Sequence, residues 1–295
     1  MRVLTKAQHD AFWRSGFLML EDAVTPAQLA GLTRDFDGWV AESKGHKASY
    51  GQIVDGRPRF DLHPDHSAAR PQLRRVNAPC DVSDAYLDAM RDSRMTDAVA
   101  DLIGPNVKHH HNKINSKLPG SATEVKWHQD FPFTPHSNSD LVTALLCVDD
   151  VTDANGPLEV APGSHRDPLH PIWHDGVFTG AMSEAVEAAY KKQAVICKGK
   201  AGTVCLMHTR VAHGSVPNSS SKPRTMFIAV YSAADALPLT PNPVPSKHEG
   251  LIVRGTDPRR IRSEAYQIEI PQYPKSASFF SQQSTRERQG TQSTM

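Results

Sequence analysis

Nothing in this sequence points to a membrane, a nucleic acid or an oxidising compartment. No apolar run approaches the roughly 18 to 20 residues that a bilayer span requires. The opening stretch MRVLTKAQHDAFW lacks the apolar region of a signal peptide. Neither sign of charge is in excess. Against 33 Lys and Arg stand 32 Asp and Glu, which leaves no electrostatic footprint for nucleic acid or an acidic membrane surface. Cysteine is scarce: Cys80, Cys147, Cys197 and Cys205 show no C-x-x-C spacing, and Cys147 and Cys205 fall in apolar, strand-like runs. Buried free thiols in a reducing compartment are therefore expected, and with them a cytoplasmic location. There is no internal repeat. What is present is an ordinary globular composition, 39% hydrophobic over 295 residues, enough to bury a substantial core.

The chain changes texture near its first third. Residues 5 to 15 predict a helix capped by Thr5 and stopped near Gly16, followed by a short strand in FLMLEDAV. Thr25-Pro26 opens a second helix with Leu29, Leu32, Phe36 and Trp39 on one side. Residues 45 to 80 are rich in polar and turn-forming types and read mostly as loop. Residues 83 to 103 carry a helical pattern that Gly104-Pro105 stops. From 107 onward come short apolar segments punctuated by Gly, Pro, Asn and Asp: 107–115, 123–128, 141–148, 157–161, 203–208 and 225–232. That pattern predicts a mainly β fold, an antiparallel sandwich or barrel preceded by a helical layer. An interruption at 165–200 holds one helix, 182–193. The expected organisation is one domain over 1–275, with helices over about 1–106 and the β core over about 107–235. The Ser/Gln-rich tail, 276–295, is expected to be disordered, with Phe279 and Phe280 able to anchor part of it.

The chemistry begins at TEVKWHQDFPF. Alternate strand residues share a face, so His128 and Asp130 can converge on one point, such as a divalent metal. The short pattern H-x-D also occurs at His63 and His165, but those copies sit in a Pro-rich loop and after a turn. Only His128 ends a strand-like segment with a β-rich region beyond it. His213, after GTVCLMH and before Gly214, is the best third ligand. Its rival, His208, lies inside the apolar strand and has no Gly-Ser after it. Eleven residues past His213 comes Arg224, able to grip a carboxylate through two parallel hydrogen bonds. Two histidines and a carboxylate with open positions suit a non-haem iron oxygenase, and a zinc hydrolase uses the same ligand types. The downstream arginine favours iron with an acidic cosubstrate.

The set W-H-x-D, then ANGPLEVAPGSHR, then H-G-S-x-x-N with its later arginine resembles the phytanoyl-CoA dioxygenase family of Fe(II)/2-oxoglutarate oxygenases, which includes the ectoine hydroxylases. FWRSGFLMLEDAVTPAQLAGL resembles the family's opening, so the likeness spans roughly residues 5 to 235. It implies a double-stranded β-helix, a cupin-like jelly roll with flanking helices. It further implies Fe(II) on His128, Asp130 and His213, 2-oxoglutarate on Arg224 with Ser215 and Asn115 beside it, and O2 as the oxidant. The implied reaction hydroxylates a small molecule and releases succinate and CO2. Asp130, where halogenating relatives carry a small residue, favours hydroxylation or another oxidation such as desaturation. The stretch FPFTPHSNSD replaces a longer acidic segment of the ectoine hydroxylases, which counts against ectoine.

The substrate is expected to be small and polar, such as an amino acid or related metabolite, with neither nucleic acid nor membrane as partner. His111, Phe133, Trp173 and His174 are the candidate contacts. Residues 165–200 and the loop 131–140 are expected to form a lid. Two competing functions share the barrel, a metal-dependent hydrolase and a non-catalytic binding protein. The hydrolase would not need Arg224 and would ignore 2-oxoglutarate, and the binding protein would be expected to lose ligands, none of which is lost here.

Overall fold

Two threonines start the first helices. Thr5 and Thr25 each form a capping box, with Gln8 and Gln28 reaching back to the cap backbone, at the heads of α1 (Lys6–Ser15) and α2 (Pro26–Ser43). Gly16 ends α1 at φ 83°, a left-handed conformation that lets the chain turn straight into β1 (Phe17–Leu20). The computed structural model describes residues 2–54, 56–272, 279, 280 and 283. Most of the tail 276–295 therefore lies outside the described residues.

The stretch 45–80 is not mostly loop. It forms β2 (Tyr50–Val54), β3 (Arg57–Leu62) and β4 (Leu73–Asn77), paired antiparallel in order. The alternation is disguised because these strands bury Arg57, Arg59 and Arg75 where apolar side chains would normally mark the inner face. The pattern at 83–103 resolves into two helices, α3 (Asp84–Arg91) and α4 (Arg94–Ile103). Asp92 leaves the helical region at φ −140°, ψ 72°, and Ser93 stands as the cap residue of α4.

The β core comprises β5 (Val107–Lys117), β6 (Val125–His128), β7 (Leu141–Cys147) and β8 (Leu158–Val160). A small hairpin, β9 (Trp173–His174) with β10 (Val177–Phe178), and α5 (Glu184–Lys191) fill the interruption. Then come β11 (Val195–Cys197), β12 (Val204–His208), β13 (His213–Ser215), β14 (Arg224–Ala233) and β15 (Ile252–Arg254). The large sheet runs β1-β12-β7-β14-β5-β4-β3-β2, with β15 on β5; the small one runs β11-β8-β13-β6. The core thus overruns 107–235 at both ends, since β1 to β4 precede it at the two edges of the sheet and β15 follows it on β5. β11 pairs with β8, so the end of the interruption belongs to the roll.

Alternation along each strand separates two cores. Phe227, Ala229 and Tyr231 of β14 pack outward with Val142, Ala144 and the helices α1 to α4. Met226 and Ile228 face the other way, meeting Leu145, Leu158, Val160, Cys205 and Met207 between the sheets. The result is a mainly β, double-stranded roll with a helical layer on one face. All four cysteines are buried and free. Among the described residues, no helix is long and apolar enough to cross a membrane.

Candidate active site

Between the sheets lies a cavity of about 1160 Å³, its mouth included. His213 on β13 stands directly opposite His128 on β6, and their rings are 4.3 Å apart. Gly214 makes that pairing possible: a Cβ there would lie 2.7 Å from the Trp127 ring. Asp130 follows β6 and aims Oδ1 at both rings, 3.5 Å from His128 Nε2 and 3.8 Å from His213 Nε2. One donor atom from each of the three residues lies within 4.8 Å of the others, a group able to hold a metal ion.

Backbone carbonyls fix the tautomers. His128 Nδ1 donates to Lys126 O at 2.8 Å and His213 Nδ1 donates to Val211 O at 3.0 Å. A carbonyl can only accept, so both protons sit on Nδ1 and both Nε2 lone pairs point at the centre of the group. Thr143 Oγ1 donates to Asp130 Oδ2 at 2.7 Å, which leaves Oδ1 for a metal. Burial pushes the Asp130 carboxyl up, yet His213, the His128 hydrogen bond and Lys113 outweigh it and hold the carboxyl well below its usual range. Burial, with His128 nearby, pushes His213 down to about 4 despite the pull of Asp130. Both shifts favour the deprotonated forms that bind metal.

Arg224 is buried, not a surface partner. Its Nε and Nη2 donate to Gly156 O at 2.8 and 2.6 Å. Gly156 has φ 79°, and a Cβ on it would meet Val216 O at 2.7 Å and Lys117 Cδ at 2.9 Å. Directly across from Arg224 on β5 is Lys117, whose Nζ donates to Ser215 Oγ at 2.7 Å and to Val216 O. Burial and the Arg224 charge push the Lys117 ammonium well below its ordinary range, and an anion bound between the two would favour its charged form again.

The cavity takes in most of the sequence-predicted residues. His128, Asp130, His213, Ser215, Arg224, Asn115, His111 and Phe133 all line it. Trp173 and His174 stand outside the lining: Trp173 Nε1 donates to Ile270 O, and His174 Nε2 lies 2.9 Å from Ala181 O. The insertion reaches the wall at Phe133, against which Phe178 packs at 6.0 Å and beside which Gly180 lies. Phe279 covers the mouth, 5.5 Å from the His128 ring and 5.7 Å from Phe133. His208 is elsewhere, against Trp13 and His165.

Sequence reasoning missed Lys113 and Lys117, Thr143, and the arginines of β3 and β4. The signal for the lysines is the alternation of β5, because His111, Lys113, Asn115 and Lys117 share parity and all four line the cavity. Arg75 pairs with Asn115 in register and donates Nε to its Oδ1 at 2.9 Å. Those arginines have no comparable signal, because their segment carries no visible strand pattern.

A double-stranded β-helix holding two histidines and a carboxylate at its mouth defines a class, the cupin-like oxygenases. Residues 12–226 match the phytanoyl-CoA dioxygenase (PhyH) profile, and the chain belongs to that family. It is a 2-oxoglutarate-dependent non-haem iron dioxygenase. A probable alpha-ketoglutarate-dependent hypophosphite dioxygenase of Stutzerimonas stutzeri is 35% identical over 69% of this chain and 72% of its own. The ectoine dioxygenase of Sphingopyxis alaskensis is 26% identical over 88% and 86%. The L-proline trans-4-hydroxylase of Streptomyces griseoviridis is 26% identical over 78% and 87%. The crystal structure of EctD from S. alaskensis with 2-oxoglutarate and 5-hydroxyectoine shares the fold, with TM-score 0.64, 24% identity, and 88% and 87% of the two chains covered.

Proposed function

We propose that His128, Asp130 and His213 hold Fe(II), and that Arg224, Lys117 and Ser215 hold the far carboxylate of 2-oxoglutarate, with Asn115 on the same face. The observation that carries this reading is the pair of Nδ1-to-carbonyl bonds, which turn both Nε2 atoms toward Asp130. Iron bound there supplies the redox chemistry that couples decarboxylation of 2-oxoglutarate to oxidation of the substrate. Thr143 keeps the carboxylate in its ligating orientation. Lys117 and Arg224 set the cosubstrate's direction, Leu158 and Val125 flank Ser215 at its far end, and Phe133, packed on the His128 ring, keeps water from the reacting end. A zinc hydrolase on this barrel has no use for two buried cations facing a serine. Residues 1–275 act as one catalytic domain, because a single sheet runs from β2 to β1.

The substrate is a small polar metabolite, such as an amino acid, rather than a long acyl chain. The relatives' named substrates, hypophosphite, ectoine and L-proline, are all small. Anaerobic reconstitution with Fe(II) and 2-oxoglutarate, followed by a screen for substrate-stimulated succinate release on admitting air, tests the reading. Succinate release that needs both additions is expected; turnover with zinc and no 2-oxoglutarate would overturn it.

A further inference from the structure

The cavity is lined by five cations, Arg57, Arg75, Lys113, Lys117 and Arg224, and among the described residues by a single carboxylate, Asp130. Two of these cations belong to the cosubstrate end already assigned. The other three form a second group. On β4 Arg75 pairs with Asn115 and Asn77 with Lys113, so Arg75 and Lys113 stand on adjoining strands of one wall, with Arg57 of β3 lining the same cavity. This group adjoins the metal-ligand set, since Lys113 in turn acts on Asp130. Lys117 forms a separate pair with Arg224, the charge that acts on it most.

The partners of Arg75 and Lys113 do not neutralise them. Arg75 Nε donates to the neutral Asn115 amide, and its guanidinium is covered by the rings of Phe279 and Phe280 at 5.4 and 4.9 Å. Asp61, the nearest acid on the neighbouring strand, is engaged by Arg74 at 3.0 Å. Among the described residues, Lys113 has no hydrogen-bond or carboxylate partner, though it is largely buried. Arg57 Nη2 donates to Pro243 O. Burying an ammonium and a guanidinium side by side without a counter-charge is costly unless a ligand supplies one. Asp61 acts on Arg75 and Asp130 on Lys113, yet with a dianionic cosubstrate held at the far end three basic side chains still face, among the described residues, the one carboxylate of this wall, Asp130.

We propose that Arg75 and Lys113, with Arg57 beside them, form a substrate subsite for an oxyanion head group, a carboxylate or a phosphorus oxyanion, held next to the metal. The arrangement orients the substrate by its charge, with the carbon or phosphorus to be oxidised turned toward His128 and His213. This subsite rests on the dioxygenase reading above, since it takes the Lys117 and Arg224 end as occupied by 2-oxoglutarate.

Calorimetric titration of the iron-loaded, 2-oxoglutarate-saturated protein under nitrogen tests it, with phosphite and acetate as head-group probes and methylammonium as control. Saturable binding of at least one anion, with the cation inert, is expected. Phosphite alone assigns a phosphorus oxyanion and acetate alone a carboxylate. Arg75→Gln and Lys113→Gln should each weaken the probe roughly tenfold or more and leave 2-oxoglutarate affinity unchanged. Arg75→Lys keeps the charge and should recover part of the loss, which separates binding from misfolding. Absence of anion binding to the native protein would overturn the subsite. So would unchanged probe affinity in both glutamine variants, or loss of 2-oxoglutarate rather than probe. If the native protein takes up no 2-oxoglutarate, the dioxygenase reading falls; probe binding then weakened by Arg75→Gln and Lys113→Gln but kept in Lys117→Met still supports the subsite, and the opposite pattern overturns it.

Discussion

Each ligand of the metal group is tied down by one specific bond, so the group should respond to single substitutions. His128→Ala, Asp130→Ala or His213→Ala should each bring succinate release to the assay floor and lower metal stoichiometry, with far-UV circular dichroism unchanged. His208→Ala is the control: its ring packs on Trp13 and His165 away from the cavity, and it should retain turnover. Activity persisting in any of the first three would remove that residue from the ligand set. Arg224→Lys keeps the charge but loses the fork on Gly156 O. Loss of one charge-assisted hydrogen bond costs about 1.5 to 3 kcal/mol, so 2-oxoglutarate affinity should fall roughly ten- to hundredfold with iron binding intact. Lys117→Met should weaken 2-oxoglutarate in the same direction. Equal affinities in a cosubstrate titration would place the anchor elsewhere.

Elements differ in how much of themselves the sequence discloses. β7, β12 and β14 bury both faces and read as apolar runs, so their existence is visible without a structure. The metal site is visible for a different reason, since His128 and Asp130 stand two apart at the end of a strand-like segment and His213 follows the apolar run of β12 with Gly-Ser after it. β3 and β4 are not visible, because they bury Arg57, Arg59 and Arg75, of which Arg57 and Arg75 line the cavity. Half of β5 is visible. Its histidines draw the eye, while Lys113 and Lys117 pass for solvated lysines until the strand's parity is followed to its end. The cover differs in part from the expected one, since the loop 131–140 contributes Phe133 and Thr134 to the lining. The insertion carries Trp173 and His174 to backbone partners outside the cavity, whereas Phe279 and Phe280 stack on Arg75 over its mouth, and Gln283 bonds to Lys126 N and Gly180 O. Truncation after Gln272 should therefore raise substrate KM and increase 2-oxoglutarate consumption uncoupled from product, because water gains entry. Trp173→Ala should change neither. The reverse pattern, measured as succinate against hydroxylated product, would return the covering role to 165–200.

At the scale of the whole molecule, the roll buries histidines that take no part in the metal group, and this sets its response to acid. His109 and His136 are pushed down to about 4, and His208 to about 3, in each case mainly by burial. In the unfolded chain each returns to about 6.5. Below that value the unfolded state binds protons that the folded state refuses, so stability is fully present above pH 6.5 and is lost as pH falls toward 4. Each group contributes a slope of about 1.4 kcal/mol per pH unit once its unfolded form is protonated, and three together can exhaust the stability of a typical domain. Asp140 and Asp149, whose carboxyls burial raises, act in the opposite sense, but only nearer the carboxylate range. The roll cannot protonate His208 locally, because its strand neighbours close over it and Trp13 and His165 cover its ring. Urea midpoints of the metal-free protein should therefore fall steadily from pH 7 to pH 5, with His208→Gln showing a shallower decline than the parent. A flat profile over that interval would mean that the buried rings take up protons in place, and that the sheet around β5 and β12 opens to water more readily than its packing implies.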